Sequence, residues 1–303
     1  MSKAELTRQL LSLGLIGVPT IVLDRSTQWE GHLESFLGSS PVAILRASSS
    51  SQLRNLPYGT ALSLIQARGF VDGLPAHCDA VVVQAYEQPE FSVEVSASED
   101  TAYLEICPGT RVFGAAGTIY ACCARLADLA RPSVAGVAFR RLSVPWSSAV
   151  GFVTRLDGTR ETTPPLDEVP LGPLRRLLMR SVLPMRTLTG SQSVRFYAHY
   201  SRPFGWSVQN TREPQDARAL VDALTRHRTR DVDVRRVAAT DVNEFQQFVV
   251  PIVGPVGSRH TTQAAAELLR RLHDLGYRRV AVEAGILSHE AILARGLGLQ
   301  VVL

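Results

Sequence analysis

A histidine near the end of the sequence, His289, has the neighbours that a nucleophilic histidine needs. It follows an apolar run that is typical of a strand, and Gly285 allows a tight turn after that run. Ser288 is a favourable helix N-cap. Backbone N–H groups at a helix start favour an anion, and imidazole is nucleophilic near neutral pH. The pattern suits a histidine that accepts and donates a phosphoryl group, although a structural histidine at a helix cap fits the same residues.

The residues around His289 predict a small α/β unit that would position it. An amphipathic helix with Leu268, Leu269 and Leu272 on one face is expected to end at Gly276. Strands and helices alternate from there to the end of the sequence, which predicts a parallel sheet. The predicted elements are strands at 248–253, 279–283 and 299–303, and helices at 261–275 and 289–295.

The residues before position 216 have an α+β pattern that is rich in antiparallel sheet. We predict that strand 91–95 pairs with strand 102–106, and that 193–200 and 206–210 form a hairpin. Further helices are predicted at 3–13, 174–183, 214–227 and around Trp29 to Phe36. A turn and a short strand are predicted at 17–23, further strands at 41–46 and 80–86, and more strand-like segments at 134–154. The expected domains are 1–215, which has a break near 75–80, and 216–303.

Composition indicates an ordinary soluble protein, which we expect to be cytoplasmic. The 303 residues are 45% hydrophobic and 20% charged, with a net charge of +4. No run approaches the ~18–20 apolar residues of a membrane span, and the N-terminus does not resemble a signal peptide.

The four cysteines contain no CxxC pair, so we expect buried thiols. Two arginine clusters, at 175–180 and 226–236, lack interleaved aromatic residues, so we expect no nucleic-acid binding.

Residues 284–302 resemble the swivelling phosphohistidine domain of the phosphoenolpyruvate synthase and pyruvate phosphate dikinase family. The family pattern is matched by Gly285, Ser288, His289, Ala291, Ile292, Arg295 and Gly298. The sequence departs from it at Ala284, Glu290, Gly296 and Gln300. The resemblance implies an α+β ATP-grasp-like N-terminal domain with a small α/β phosphohistidine-type C-terminal domain. It also implies catalytic roles for His289, Ser288 and Arg295.

The same resemblance extends, in the same order, to the nucleotide-binding part of the family. Lys3 matches a phosphate-contacting lysine, Arg46 and Ser48 resemble the family's Arg-Ser-Ser, and Gln84 lies in the strand that resembles the adenine hinge. A lid loop would begin at Pro57. The resemblance implies ATP and Mg²⁺ as cofactors. The implied nucleotide-binding residues are Lys3, Arg46, Ser48, Gln84, Glu105 and Arg212, and the implied metal ligands are Asn210, Gln209 and Glu105.

One departure concerns the metal site. The family has a metal-binding glutamate in the strand that corresponds to 193–200, and this sequence has no carboxylate there. The family's acidic pair after Arg-Ser-Ser is replaced by Gln52 and Leu53. Since magnesium prefers hard oxygen ligands, either Glu105 or an unplaced residue supplies the carboxylate, or the site is impaired.

Three functions follow as hypotheses. The first is an ATP-dependent phosphotransferase that passes a phosphoryl group through His289 to a small-molecule or protein acceptor. The second is a catalytically impaired ATP-grasp-like binding or assembly module. The third is an ATP-grasp ligase that uses an acyl phosphate. A pyruvate-binding barrel of about 250 residues does not fit in this length, so we expect an unidentified acceptor, and a homodimer or a partner subunit stays open.

Overall fold

The computed structural model describes most of the chain. The described residues are 1–25, 28–51, 56–109, 120–130, 139–142, 152–154, 160–162, 168–212, 215–226, 234–236, 250–253, 259–282, 287 and 289–302.

The described elements are helices and strands, and several strands follow one another directly along the chain. The helices are α1 (Lys3–Ser12), α2 (Trp29–Ser39), α3 (Leu64–Asp72), α4 (Leu126–Leu129), α5 (Leu171–Thr189), α6 (Ala217–Arg226), α7 (Arg259–Asp274) and α8 (His289–Gly296). The strands are β1 (Thr20–Asp24), β2 (Ala43–Ser48), β3 (Tyr58–Leu62), β4 (Ala80–Ala85), β5 (Phe91–Ser98), β6 (Thr101–Pro108), β7 (Tyr120–Arg125), β8 (Arg140–Leu142), β9 (Phe152–Thr154), β10 (Arg160–Thr162), β11 (Ser193–Ser201), β12 (Gly205–Arg212), β13 (Val234–Arg236), β14 (Val250–Val253), β15 (Arg279–Val282) and β16 (Gln300–Val302).

The chain folds as two compact units. The first unit contains Met1–Gln88 together with Tyr200–Asn210, and the second contains Pro89–His199 together with Thr211–Leu303. This division by compactness differs from the domains 1–215 and 216–303 expected from the sequence, which stay a prediction.

The first unit is built on an antiparallel four-stranded sheet in the order β1-β4-β2-β3. Its central strand β4 is apolar except for Gln84 and is buried throughout. Helices α2 and α3 cover the sheet with Leu33, Phe36 and Val71, which pack with Leu45 in one apolar core. The predicted lid residues Tyr58 and Gly59 lie instead in edge strand β3, because they pair with β2.

In the second unit, strands β5 and β6 bury polar side chains on one face of a six-stranded sheet, whose order is β12-β11-β5-β6-β7-β8. Successive side chains of a strand point to opposite faces. The apolar face of β5 therefore carries Phe91, Val93 and Val95, while Ser92, Glu94, Ser96 and Ser98 share the other face. All of these residues are buried, so the polar face must be satisfied from within the protein.

The C-terminal elements of the second unit form the predicted parallel sheet. Its order is β13-β14-β15-β16, and every neighbouring pair is parallel. Leu269 of α7 and Ala291 of α8 pack in one core with Tyr103 of β6 and Ala121 of β7. The helix that begins at His289 thus shares its core with the antiparallel sheet.

Most of the predicted elements are confirmed, including the antiparallel pairing of β5 with β6. The sequence patterns did not predict β3, α3 or β7. The prediction of a helix at 174–183 was too short, since α5 spans Leu171–Thr189 and contains Pro184. The predicted strands at 134–154 lie largely outside the described residues.

The predictions about cysteines and membrane spans can be compared with the described residues. The four cysteines lie within the described residues and are buried thiols, as expected, and burial raises the pKa of the Cys122 thiol. None of the described helices has both the length and the apolarity that crossing a membrane would require.

Gly17 allows a close approach between two backbone segments of the first unit. Its N–H donates to Ser207 Oγ at 3.1 Å, and an added Cβ would lie 2.8 Å from the Phe204 carbonyl oxygen. We predict that Gly17→Ala lowers the free energy of unfolding by about 1–3 kcal/mol, since backbone must shift. In the control Gly31→Ala, the new methyl group on α2 meets nothing within 4 Å. That variant should gain about 0.5–1 kcal/mol. Urea unfolding measures both, and equal stabilities would contradict the prediction.

Candidate functional site

Two cationic side chains of the first unit, Lys3 and Arg46, are brought together by the start of α1. Lys3 is the first residue of that helix, and Arg46 lies in β2. The buried Ser48 Oγ accepts a hydrogen bond of 2.9 Å from the Ala4 N–H, which ties the first turn of α1 to the end of β2. Ser48 thereby links the helix that begins at Lys3 to the strand that contains Arg46, and its predicted contact with nucleotide stays a prediction.

The pKa of Lys3 responds to its burial and to the charge of Arg46. Burial, and then the positive charge of Arg46, lower the pKa of Lys3 to about 8. Both causes disfavour the charged ammonium group, and a nearby anion would oppose both of them. A neighbouring lysine and arginine suit a ligand with several negative charges, such as a chain of phosphates.

The predicted metal ligand Gln209 extends this cationic site. Arg46 Nη2 donates to Gln209 Oε1 at 3.2 Å, so β2 and β12 each contribute a side chain. The amide oxygen of Gln209 is thus bound to a cation within the protein. Asn210 follows Gln209 in β12 and is half-buried. Metal binding by either residue stays a prediction.

Two other predicted nucleotide residues lie apart from this cation pair along the chain. Gln84 is buried in β4, and its Nε2 donates to Thr20 Oγ1 at 3.2 Å. Arg212 is the last residue of β12 and belongs to the second unit, and its side chain lies outside the described part. Their nucleotide-binding roles stay predictions.

The second unit contains a buried ion pair that the sequence patterns did not predict. Arg195 of β11 donates through Nε to Glu94 Oε1 at 2.7 Å and binds the same oxygen through Nη2. Only 1% of each side chain is exposed. Removing two charges from water is unfavourable unless they are well paired, and this pairing satisfies part of that need.

Both backbone polar groups of Leu287 are held by charged side chains. Arg195 Nη2 donates to the Leu287 carbonyl oxygen. The Leu287 N–H donates to the Glu105 carboxylate, at 3.1 Å from Oε1 and 3.2 Å from Oε2. The Tyr103 hydroxyl donates to Glu105 Oε1 at 2.8 Å. We call Glu94, Arg195 and Glu105 the Leu287 clamp.

Arg295, which was predicted to be catalytic, lies beside the Leu287 clamp. Its Nη2 donates to Gln215 Oε1 at 3.2 Å. Burial, above all, lowers the pKa of Arg295, and the charge of Arg195 acts in the same direction, while Glu105 opposes them. The network therefore contains two carboxylates and two guanidinium groups, whose formal charges balance.

The rest of the polar face on β5 binds the start of α6. Ser96 Oγ donates to the Gln215 carbonyl at 2.6 Å, and Ser98 Oγ donates to Asp216 Oδ1 at 3.1 Å. The Asp216 carboxylate accepts the N–H of Ala219, which is the main cause of its lowered pKa. The polar face of β5 thus forms hydrogen bonds with C-terminal elements.

His289 is the first residue of α8, two positions after Leu287. Its side chain and the whole of Ser288 lie outside the described residues. The structure therefore confirms the predicted helix that starts at His289, while the catalytic roles of His289 and Ser288 stay predictions.

The fit of the described residues to magnesium is poor. Within the described ranges, no group of three or more histidine, cysteine or acidic residues is arranged to hold a metal ion. Glu105, predicted to bind both nucleotide and metal, is buried, and its two oxygens accept bonds from Leu287 and Tyr103. We derive no step through magnesium.

The sequence indicates buried charges at Arg195 and Glu94, but it does not identify the partner of either residue. Arg195 is a charged residue in an otherwise apolar and aromatic strand, and Glu94 lies among the apolar residues of β5. A charge in such a strand indicates a buried pair. The pairing itself joins residues that are 101 positions apart, so only the fold reveals it.

Comparisons with known proteins give distant likenesses only. No protein-family model and no curated protein matches the chain. D-alanyl-alanine synthetase A from Vibrio cholerae shares 11% identity and a TM-score of 0.41, over 69% of this chain and 54% of that one. D-cycloserine synthetase DcsG shares 12% identity and a TM-score of 0.39, over 72% and 64%.

A third solved structure is similar at a lower level. Macrocyclase MdnC from Microcystis aeruginosa, bound with its precursor peptide, shares 7% identity and a TM-score of 0.31, over 68% of this chain and 50% of that one. The chain thus spans about half to two thirds of the length of these proteins. Likenesses at these values assign neither family nor activity to the chain.

The pKa of Lys3 predicts how phosphate binding depends on pH. Below about pH 8 Lys3 is charged, and above it the ammonium proton is lost. We predict that affinity for tripolyphosphate falls as pH rises from 7 to 9.5, because the site loses one cation. Titration calorimetry measures this fall. Lys3→Met should bind weakly and should lack this fall, and a wild-type profile in that variant would contradict the prediction.

The clamp predicts a difference between single and double substitutions. Arg195→Met leaves Glu94 buried without its cation and should lower the free energy of unfolding by about 3–5 kcal/mol. The double variant Glu94→Leu/Arg195→Met removes both charges and should be the more stable of the two. Urea unfolding compares them, and a double variant as unstable as the single one would show that the ion pair does not carry the effect.

Proposed function

We propose that the chain is an ATP-dependent enzyme that activates its acceptor by phosphoryl transfer, with an ATP-grasp-like part that binds the nucleotide. The observation that carries the proposal is the pair of adjacent cations, Lys3 and Arg46, in which burial and Arg46 lower the pKa of Lys3. A bound triphosphate would relieve that repulsion, since its charges favour both protonated groups.

The proposed roles follow from the chemistry of each side chain. Arg46 presents planar donors that suit phosphate oxygens, and Gln209 Oε1 holds its guanidinium group in place. Lys3 adds a compact charge at the start of α1. Together they would orient the phosphates and offset the negative charge that accompanies transfer.

An acyl-phosphate ligase is the first candidate for the fate of the phosphoryl group. It is supported by the tight attachment of Leu287, and of the core of α8, to the antiparallel sheet. A ligase of this kind does not need a histidine that carries a phosphoryl group from one site to another. An acceptor carboxylate would attack the terminal phosphorus and release ADP. An amine would then attack the acyl carbon, which forms the C–N bond, and phosphate would leave with the electron pair of the broken C–O bond while the amine loses a proton to water.

Transfer through His289 is the second candidate. It is supported by the place of His289 as the first residue of α8, two residues after the clamped Leu287. Free N–H groups at a helix start favour the negative charge of a phosphohistidine. The small C-terminal elements would then deliver the phosphoryl group to an acceptor.

A binding module without catalysis is the third candidate. It is supported by the poor fit of the described residues to a metal site. Such a module would use the same cation pair to bind ATP but would leave the phosphates intact.

Labelled ATP separates these candidates. The protein is incubated with γ-labelled or β-labelled ATP, and acid-labile label on the protein is measured in the wild type, in His289→Ala and in His273→Ala, an exposed histidine of α7 that serves as the control. We predict no label on His289 if the ligase candidate holds, with ATP turnover in His289→Ala equal to wild type. Label that is lost only in His289→Ala identifies the histidine route instead.

Two further outcomes test the wider proposal. ATP binding without label or turnover identifies the binding module. Equal ATP affinity in the wild type, Lys3→Met and Arg46→Gln would contradict the cation pair as the phosphate site, and with it the proposed function.

A further inference from the structure

We propose that Lys3 is a carboxylation site, at which dissolved CO₂ converts the side-chain amine into a carbamate beside Arg46 and thereby opposes phosphate binding in the first unit. The inference assigns a covalent modification and a regulatory ligand to the cation pair. Its regulatory part rests on the proposed function, because the same side chain would bind the phosphates.

Lys3 differs chemically from every other cationic side chain in the sequence. The 303 residues contain 32 lysines and arginines together, and Lys3 is the only lysine among them. A guanidinium group stays protonated in proteins, whereas a lysine amine can lose its proton and act as a nucleophile. Lys3 therefore provides the one side-chain amine in the sequence that can react with CO₂.

The position of Lys3 in the fold disfavours its charged form. Lys3 is half-buried, and it is the first of the ten residues of α1, where the helix carries a partial positive charge. Burial, and then the charge of Arg46, lower the pKa of Lys3 to about 8. At pH 8 about half of the Lys3 side chains are therefore neutral, which is on the order of 100-fold more than for an unperturbed lysine.

The same surroundings favour a negative group on Lys3. Arg46 presents planar donors that suit the two oxygens of a carboxylate, and its Nη2 donates to Gln209 Oε1 at 3.2 Å, which holds the guanidinium group. The start of a helix also favours an anion. A carbamate would thus replace a cation that its surroundings oppose by an anion that they stabilise.

Carbamate formation needs only CO₂ and the neutral amine. The nitrogen attacks the carbon of CO₂, a C–N bond forms, and the electron pair of one C=O bond moves onto oxygen. The nitrogen then loses a proton to water, which leaves a carbamate with one negative charge. Because the charge on Lys3 changes from positive to negative, the modified side chain would repel phosphates instead of attracting them.

Carbamate formation and phosphate binding therefore compete for one side chain. A chain of phosphates favours the protonated amine, whereas CO₂ reacts only with the neutral amine. Coupling between two ligands is reciprocal. Phosphates must therefore reduce the amount of carbamate on Lys3 by the same factor by which CO₂ reduces the affinity for phosphates.

The test measures carbamate on the full chain in ¹³C-labelled bicarbonate and CO₂ near pH 8, close to the pKa of Lys3. ¹³C NMR quantifies the carbamate, and trapping with triethyloxonium followed by fragment mass spectrometry locates it. The matched variant Lys3→Arg keeps a positive charge and the α-amino group but has no side-chain amine. Tripolyphosphate is the phosphate probe, and the ionic strength is held constant.

We expect trapped carbamate on Lys3 and on the α-amino group in the wild type, and on the α-amino group alone in Lys3→Arg. Saturating tripolyphosphate should lower the Lys3 carbamate of the wild type at least about tenfold, because the protonated amine does not react. The α-amino carbamate of the same sample should stay within about twofold, which makes it an internal control.

The outcomes separate the inference from the function on which it rests. Carbamate found only on the α-amino group of the wild type overturns the inference, and this result does not depend on whether the variant folds. Lys3 carbamate that tripolyphosphate leaves unchanged also overturns it, if titration calorimetry shows that the wild type binds tripolyphosphate. Wild-type protein that binds no tripolyphosphate in CO₂-free buffer overturns the proposed function instead, and carbamate on Lys3 of that protein would still support the carboxylation site.

Discussion

Leu287 is bound through both of its backbone polar groups to buried charged side chains, and the arrangement of the second unit depends on this attachment. A charge that is buried in a protein needs a partner, so Arg195 requires Glu94, and Glu105 requires its N–H and hydroxyl donors. Satisfying them brings residues of β5, β6 and β11 to a single point near the start of α8. The C-terminal elements are therefore fastened to the antiparallel sheet by directional bonds as well as by apolar packing.

The buried polar face of β5 and β6 extends this attachment. Ser96 and Ser98 bind the residues that begin α6, and Glu105 binds the residue that leads to α8. A face that would be solvated in a simple antiparallel sheet here binds backbone and side-chain groups of a later part of the chain. The physical consequence is that the parallel C-terminal sheet and the antiparallel sheet form one unit.

The first unit differs from the second because it places two like charges near each other. The charges of Lys3 and Arg46 repel each other, which contributes to the lowered pKa of Lys3. A bound polyanion would reduce this repulsion. The second unit brings two buried carboxylates together with the buried Arg195 and the half-buried Arg295. Two neighbouring cations favour an anionic ligand, whereas a network of paired charges favours a fixed geometry. This contrast supports the proposed anion binding in the first unit.

The sequence alone determined the local elements, because apolar residues recur every two residues in a strand and every 3.6 residues in a helix. It correctly predicted the β5–β6 pairing, the parallel C-terminal sheet and the helix that begins at His289. It missed β3, α3 and β7, and it did not reveal the partner of Arg195. Arg46 and Lys3 were recognised by resemblance, but their repulsion depends on burial, which only the folded chain defines. The tertiary structure alone decided that Glu105 and Arg195 converge on Leu287, because residues separated by 92 to 182 positions meet only after the strands have paired.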